Sequence, residues 1–261
     1  MVVTSSVASI GPAPGDRAAT ERNPYPESGT GLLYTDSKYE GERVALALGE
    51  RLDIEVVSVC PSYVLGAAYN RMLPGETSTR IVGNYLRGRL PAIVDAYTNV
   101  VDVEDVAAGH LLAADRGRAG ERYILGGENL RWSEVIERIA RLSGVRHPLL
   151  VLPPEIAGVA DALKRAGVPF GILEGIRLMA PDWRYSSAKA RRQLGYEPRS
   201  ATETLKRTVD WYQELIEDDR LAAPKSRSFG VMTAGVRAAD RFGLLLPLRA
   251  AGQMTGRRTV L

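Results

Sequence analysis

The amino-acid chain begins with two apolar runs separated by one long segment of helical periodicity. Val2–Ser6 predicts a first β-strand, and Ile54–Val59, which is apolar and β-branched, predicts a strand buried on both faces of a parallel sheet. Between them, Tyr34–Arg51 predicts a helix, because side chains of similar character recur at helical spacing. One face of this helix holds Tyr34, Lys38, Val44, Ala45 and Leu48, and the other holds Glu40, Glu42, Arg43 and Glu50. A strand, a helix and a strand in this order indicate an α/β fold.

The same alternation of short apolar runs and amphipathic segments continues beyond Gly66. The predicted strands are Pro91–Val94, Asn99–Val103 and Tyr123–Gly127. The predicted helices are Thr79–Arg87, a helix capped by Asp105 that runs to Ala114, Glu134–Ser143 capped by Ser133, two segments within 153–180 separated by Gly167 and Pro169, Ala188–Leu194 capped by Ser187 and ended by Gly195, and Thr202–Glu217.

Composition places the chain among ordinary globular proteins of one domain or two closely joined ones. It has 261 residues, of which 45% are hydrophobic and 25% charged. A single cysteine, Cys60, excludes a disulfide framework and a multi-cysteine zinc site, and two histidines are too few for most histidine-rich metal sites, so no metal is predicted. No secretory signal and no membrane-length apolar run is visible, and we therefore expect a cytoplasmic protein without a membrane span.

The positive charge of the chain is concentrated in its last residues. From residue 225 onward seven basic side chains stand against Asp240 alone, which gives +6, so the net charge of +3 leaves −3 on residues 1–224. We find no nucleic-acid-binding motif with this basic tail, 218–261, and expect no nucleic-acid partner. The tail is interpreted either as a partly ordered appendage that packs on the body or a partner, or as a basic amphipathic helix that seeks a surface.

The candidate chemistry is centred on Tyr34 and Lys38, which share one helix face because they lie four residues apart. A phenol is a poor acid-base at neutral pH, but a neighbouring ammonium favours the phenolate and makes proton transfer to a carbinol oxygen feasible. Ser6 ends the first strand and precedes the loop to this helix, so its hydroxyl could bind the same oxygen. Ser5 is the neighbouring candidate.

The spacing Tyr-x-x-x-Lys is weak evidence by itself, because Tyr185 and Lys189 repeat it. Tyr34 alone is preceded by a strand ending in two serines and followed by a buried strand. We expect Cys60 and His110 to be packed residues, Asp105 to be a helix cap, and Asp102 and Glu104 to be exposed on the surface.

Several longer motifs resemble the extended short-chain dehydrogenase/reductase family, also called the NAD-dependent epimerase/dehydratase family. Coverage runs from residue 2 to about 217, and the most similar branch contains dihydroflavonol-reductase-like proteins and hopanoid-associated sugar epimerases. The matching segments are Val3–Ser6 with Gly11, Tyr34–Lys38 with Glu42, Val57–Pro61 leading to Val64 and Gly66, Tyr85–Ala92, Val101–Ala107 with Gly109 and His110, Gly120–Gly127, and Ser186–Ala190 with Leu194–Pro198.

The resemblance implies a fold and a set of site residues. The implied fold class is α/β, with an incomplete Rossmann-like parallel sheet of C-terminal strands within 1–217 and a smaller α/β substrate-binding region at about 67–100 and 128–185. NAD or NADP is the implied cofactor, with a small-molecule substrate and a possible homodimer. The implied residues are Ser6, Tyr34 and Lys38 for catalysis, Tyr34, Lys38, Pro61, Ser62, Tyr63 and Val64 for the cofactor, and Ser6, Val7 and Arg80 for the substrate.

The chain departs from the family pattern in two places. No glycine-rich turn of the Gly-x-x-Gly-x-x-Gly type precedes Ser6, so the first four strands, roughly a hundred residues, are expected to be missing. We favour a fragment or mis-started gene model over a true loss of the nucleotide-binding half. Asp102 stands where relatives often carry histidine, which affects the expected substrate contacts.

Two functions are therefore compatible with the sequence. The first is an NAD(P)-dependent oxidoreductase or epimerase acting at a carbinol or carbonyl carbon of a sugar or small ketone. Dehydration is disfavoured, because Val7 and Ala8 follow Ser6 where dehydratases of this fold usually carry an acidic pair. The second is a non-catalytic remnant or interaction module, in which the unpaired, apolar edge of the first strand favours aggregation or pairing with another chain.

Overall fold

The computed structural model describes residues 1–27, 29–68, 78–165, 171–219, 221, 228–255 and 259–261, which form two compact units. The first unit contains Met1–Leu65, Tyr97–Leu130 and Pro181–Thr204, and the second contains Gly66–Ala96, Arg131–Ala180 and Leu205–Leu261. The predicted substrate-binding region, 67–100 and 128–185, overlaps the second unit and stays a prediction as a functional domain.

The strands are β1 (Val2–Thr4), β2 (Val57–Pro61), β3 (Tyr63–Leu65), β4 (Ala92–Val94), β5 (Tyr97–Asp102), β6 (Arg122–Leu125), β7 (Glu128–Arg131) and β8 (Leu150–Leu152). The helices are α1 (Leu33–Arg51), α2 (Arg80–Leu86), α3 (Val103–Arg116), α4 (Trp132–Ser143), α5 (Ile156–Arg165), α6 (Gly171–Met179), α7 (Ala188–Leu194), α8 (Ala201–Glu217), α9 (Ser228–Arg241) and α10 (Leu246–Thr255). A short 3-10 helix, Val7–Ser9, follows β1.

A parallel sheet with the order β1-β2-β6 lies at the centre of the first unit. Val57 and Val59 of β2 pack into one apolar cluster, and Cys60 packs into another. Successive side chains of a strand point to opposite faces, so this strand is buried on both sides. The predicted α/β fold with a parallel sheet and the predicted core position of Cys60 are both confirmed.

Two smaller sheets accompany this one. β3, β5 and β7 form a three-stranded sheet in which β3 pairs with β5 in parallel. In the second unit β4 pairs with β8 in parallel, and Val260 forms an antiparallel bridge to Leu150. Residues 259–261 of the basic tail therefore pack on the second unit.

Helix α1 begins one residue before its predicted start, but its faces differ from the predicted ones. The innermost positions are Thr35, Glu42 and Gly49, whereas Val44 and Leu48 are 47% and 38% exposed. Glu42, predicted to lie on the polar side, is only 4% exposed. The small residue at position 49 allows the close approach, because a Cβ there would lie 2.5 Å from Cγ2 of Val56.

The predicted N-cap Asp105 is wrong, because α3 is capped by Asp102, whose carboxylate accepts a hydrogen bond from the Glu104 amide at 2.9 Å. The predicted exposure of Asp102 is also wrong, since it is 1% exposed. Asp105 instead accepts hydrogen bonds from Arg199, at 2.9 Å from its amide and 3.0 Å from its guanidinium.

The two other predicted caps have different outcomes. Ser133 lies inside α4 rather than before it, and its amide donates to Asp95 at 3.0 Å. Ser187 occupies the N-cap position of α7 as predicted, but its hydroxyl forms no capping bond and donates to the Gly126 carbonyl at 2.8 Å. The strands β3, β7 and β8 were not predicted. Gly167 and Pro169, the predicted helix breakers, lie outside the described residues.

Candidate active site

The candidate residues of the first unit lie where parallel strands end. β1 ends at Thr4 and β2 ends at Pro61, so Ser6 and Ser62 follow neighbouring parallel strands at their carboxyl ends. In open α/β sheets this edge is where ligands bind. The strand order therefore brings two candidate residues that are distant in the sequence to one edge.

The two serines after β1 have different surroundings. Ser5 is buried, and its hydroxyl donates a hydrogen bond to Ser9 Oγ at 3.1 Å. Ser6 is partly exposed, and its Oγ accepts a hydrogen bond from the Ala8 amide at 3.2 Å, which leaves its hydroxyl proton able to donate. The geometry therefore favours Ser6 over Ser5 as the residue that meets a bound oxygen.

Tyr34 and Lys38 lie in the first turns of α1. The Lys38 ammonium is 5.9 Å from the centre of the Tyr34 ring, and Tyr34 is 51% exposed. Within the described part of the chain, neither the phenol oxygen nor the ammonium group has a hydrogen-bond or ion-pair partner. Both polar groups are therefore free to meet a ligand.

The loop before α1 is held by Asp36. This carboxylate accepts hydrogen bonds from the Tyr25 hydroxyl at 2.6 Å and from the Thr30 amide at 2.8 Å. The Tyr25 bond, followed by the Thr30 bond, lowers the pKa of Asp36. Helix α1 also packs against the 3-10 helix that begins directly after Ser6. Tyr34 and Ser6 are thus carried by two elements that touch.

The segment Pro61–Val64 continues along the same edge. Pro61 pairs with Leu125 in the sheet, and the Ser62 amide donates to the Leu125 carbonyl at 3.2 Å. The Ser62 hydroxyl oxygen is buried and has no hydrogen-bond partner among the described residues. An unsatisfied buried hydroxyl is costly and indicates a place for a polar ligand group.

The second Tyr-x-x-x-Lys pair is structural. Tyr185 is 2% exposed, and its hydroxyl donates to the Gly11 carbonyl at 2.7 Å. Burial raises its pKa well above the ordinary value. Lys189 donates to the Arg122 carbonyl at 2.6 Å and lies over the Tyr123 ring. Tyr185 also precedes helix α7, so the two residues do not share a helix face.

The remaining predicted site residues have different settings. Val7 is 8% exposed and packs with Ile10 and Cys60, so its predicted substrate contact stays a prediction. Arg80 is exposed at the first residue of α2 in the second unit. His110 packs between the Thr4 hydroxyl and the Val106 carbonyl, each at 2.8 Å.

No group of three potential metal-ligating side chains occurs among the residues that the structure describes. In the same residues, every helix is too short or too polar to cross a lipid bilayer.

The sequence did not reveal a buried polar network beside these residues. The Glu42 carboxylate accepts hydrogen bonds from Arg122 Nε at 3.2 Å, from the Cys60 thiol at 3.3 Å and from the Ser58 hydroxyl. Burial acts to raise the pKa of Glu42, but the hydrogen bonds and charge of Arg122 bring it below its ordinary value. The signal present in the sequence was the position of Glu42, four residues after Lys38 on the same helix.

An α/β unit with a parallel sheet, a Tyr-x-x-x-Lys helix and a serine at the end of the preceding strand defines the class of Rossmann-like dehydrogenases and epimerases. Residues 1–126 match the model of the NAD dependent epimerase/dehydratase family. The chain belongs to this family, whose members are extended short-chain dehydrogenases/reductases, and NAD(P) is the family cofactor.

Known proteins support the assignment. Over 226 residues the chain is 33% identical to a Synechocystis protein named for dihydroflavonol 4-reductase, covering 81% of this chain and 64% of that protein. It is 30% identical over 226 residues to sterol demethylase protein B of Methylococcus capsulatus, covering 82% of this chain and 66% of that protein. The crystal structure of a nucleoside-diphosphate-sugar epimerase from Pseudomonas aeruginosa superposes with a TM-score of 0.68 at 26% identity, covering 85% and 68%. The chain thus spans just under two thirds of the length of the Synechocystis and Methylococcus proteins.

Proposed function

We propose that the protein is an NAD(P)-dependent reductase or sugar epimerase that acts at a carbinol or carbonyl carbon of a sugar derivative or small ketone. The observation that carries this proposal is the free Tyr34 and Lys38 pair on a helix that packs against the turn beginning after Ser6. The family and the reductase and epimerase names of similar proteins support it.

In the proposed reaction, three side chains of this chain handle the substrate oxygen. When bound, NAD(P) supplies or accepts the hydride at the adjacent carbon. In the reducing direction the Tyr34 phenol gives its proton to the oxygen, and in the oxidising direction the phenolate removes it. Lys38 stabilises the phenolate and would contact the ribose of the bound cofactor, while the Ser6 hydroxyl donates to the substrate oxygen and fixes its position.

Pro61, Ser62, Tyr63 and Val64 would form the wall for the nicotinamide ring. The fit rests on the buried Ser62 hydroxyl, which has no partner among the described residues and can bond to a polar group of the ring. Pro61 and Val64 would supply apolar contact to its face.

Dehydration is disfavoured within this reaction class. Removal of water from a sugar needs an additional acid and base beside the hydroxyl residue. Val7 and Ala8 follow Ser6 directly, and both are apolar and buried. A reductase or an epimerase, which can use Ser6, Tyr34 and Lys38 alone, therefore fits better.

Three further features extend the proposal. We place Arg80 as a contact to the substrate, whose polar or anionic part would suit a guanidinium.

A homodimer would cover the exposed apolar side chains Leu33, Val44 and Leu48, which share one face of α1. Light scattering on a column would report the dimer, and Val44→Glu should then yield monomer. Cytoplasm is the proposed location.

The decisive experiment is Tyr34→Phe in the complete protein encoded by the gene. Turnover of NADH and NADPH is followed by absorbance with a panel of ketones and nucleotide sugars, and we expect kcat to fall by about 10²–10⁴. Tyr39→Phe is the matched control, because Tyr39 lies on the same helix and stacks on Tyr25. Full turnover of Tyr34→Phe would refute the proposal.

A further inference from the structure

Glu42 is a carboxylate in a place that usually excludes one. It lies on α1, four residues after Lys38, and is 4% exposed. Removing a charge from water is costly unless the charge is paired and hydrogen-bonded. The surroundings of Glu42 must therefore supply both.

Three side chains from two neighbouring strands meet this carboxylate. Ser58 and Cys60 of β2 donate a hydroxyl and a thiol, the latter at 3.3 Å. Arg122 of β6 donates through Nε at 3.2 Å to one carboxylate oxygen and through an amino nitrogen to the other. A two-point contact of this kind fixes the guanidinium in orientation as well as in position.

The same guanidinium also reaches the turn after β1. An amino nitrogen of Arg122 donates to Ser9 Oγ at 2.9 Å and to the Ser9 carbonyl at 3.3 Å. Ser9, which is fully buried, then donates from its hydroxyl to the Ser6 carbonyl at 2.7 Å. One continuous chain of hydrogen bonds therefore leads from the Tyr34 helix to the backbone of Ser6.

We propose that Glu42, Arg122 and Ser9 are positioning residues, a clamp that fixes the Ser6 turn against the helix carrying Tyr34 and Lys38. The inference rests on the proposed function of that site. None of the three is assigned to contact the substrate. They act by holding the backbone of Ser6 in one place relative to α1.

A role in stability alone explains the clamp poorly. A buried ion pair contributes little net stability compared with apolar side chains of similar volume. What directional hydrogen bonds supply is geometry, and a misplacement of about 1 Å in an active site can cost about a hundredfold in rate. The clamp joins the 3-10 helix, α1 and β6, and the first two carry the candidate catalytic residues.

Ser9→Ala is the most informative variant, because it removes both hydroxyl bonds of the link, from Arg122 and to the Ser6 carbonyl, and leaves Glu42 paired with Arg122. The backbone bonds from the Ser9 amide to the Ser6 carbonyl, at 3.0 Å, and from Arg122 to the Ser9 carbonyl remain, so the variant weakens the clamp without removing the turn. We expect a normal folded protein, a kcat lowered about tenfold or more, and a KM for NAD(P)H that is little changed. Glu42→Gln should lower kcat by a similar factor if it folds. Glu40→Gln is the control, because Glu40 lies on the same helix and pairs with the exposed Arg43, and its kcat should equal that of the wild type.

A double-mutant cycle distinguishes a positioning role of Ser9 from a general loosening of the protein structure. In a Ser6→Ala background, Ser9→Ala should cause no further loss of kcat, because the group that it positions is gone. An equal loss in both backgrounds, or an unchanged kcat for Ser9→Ala beside an inactive Tyr34→Phe, overturns the clamp and leaves the proposed function intact. Full turnover of Tyr34→Phe overturns both.

Discussion

The Lys38 ammonium lies 5.9 Å from the centre of the Tyr34 ring, one helical turn away, in the first part of α1. Tyr34 is half-exposed and Lys38 is partly exposed, and Lys38 lies beside the buried side of the helix, whose inner positions are Thr35, Glu42 and Gly49. The helix therefore sets the spacing of the two polar groups, while its core contacts hold it in place.

Replacing Lys38 by methionine should lower kcat by about 10²–10³, since the phenolate then loses its neighbouring charge. Lys38→Arg keeps the charge and should retain more activity. The measurement is kcat between pH 6 and 9, with Arg43→Met on the exposed part of the same helix as the control. A Lys38→Met enzyme with the pH profile and kcat of the wild type would contradict this role.

Cys60 should resist alkylation in the folded protein. Burial, followed by the charge of Glu42, raises the pKa of its thiol to about 12, and the thiolate is the reactive form. Because Cys60 is the single cysteine of the chain, intact mass after iodoacetamide at pH 8 reports it without ambiguity. We expect no modification in buffer and complete modification in guanidinium chloride. Modification of the folded protein at the rate of a free thiol would show that this strand is open.

Two glycines of α1 should respond oppositely to alanine. Gly41 has no atom within 4 Å of the position of an added Cβ, so Gly41→Ala should stabilise the protein by about 0.5–1 kcal/mol through helix propensity. At Gly49 the added Cβ would lie 2.5 Å from Val56 Cγ2, and the resulting overpacking costs about 1–3 kcal/mol. Thermal unfolding of both variants tests the pair. A stabilising Gly49→Ala would mean that α1 does not approach Val56, the residue before β2, this closely.

Glu42 should contribute stability that depends on pH. Its pKa is lower in the folded protein than the value of about 4.3 in an unfolded chain, so its contribution is complete above that value and is lost as pH falls through the folded pKa. Glu42→Gln should cost about 3–5 kcal/mol at pH 7, because Arg122, whose side chain is only 20% exposed, is left without its ionic partner.

The difference between the wild type and Glu42→Gln should therefore shrink as pH falls below about 4.3, because the unfolded chain takes up a proton there that the folded protein still lacks, and the loss is complete once pH is below the folded pKa. Urea unfolding at a series of pH values measures it. The control Glu40→Gln should differ from the wild type by less than about 0.5 kcal/mol at every pH, because the pair with Arg43 is exposed. A gap that stays constant down to pH 3 would contradict the ionised state of Glu42.

Local patterns were sufficient for much of the fold. The start of α1 was predicted within one residue, and α7 ends at Gly195 as predicted because that glycine adopts a positive φ of 73°. The buried strand β2 was also recognised from its composition, although it begins at Val57 rather than at Ile54. Each of these features depends on neighbours in the sequence.

What could not be predicted depends on distant partners. The helical pattern puts Glu42 on the polar side of α1, because no local pattern shows that Arg122, 80 residues later, supplies its counter-charge. The sequence favours Asp105 as a helix cap, because nothing nearby shows that Arg199 binds it. In the candidate site, Ser6, Tyr34 and Lys38 came from motifs, whereas Ser9 carried no motif at all.

The separation between Glu42 and Arg122 also matters while the protein is being made. Glu42 leaves the ribosome 80 residues before Arg122, an interval of about 4–16 s at bacterial and eukaryotic rates of synthesis. During that time its burial would leave a carboxylate without a counter-charge, so α1 cannot settle permanently on β2. Stable packing of the candidate catalytic helix therefore requires β6. We expect a chain released before residue 122 to hold Tyr34 in no fixed position.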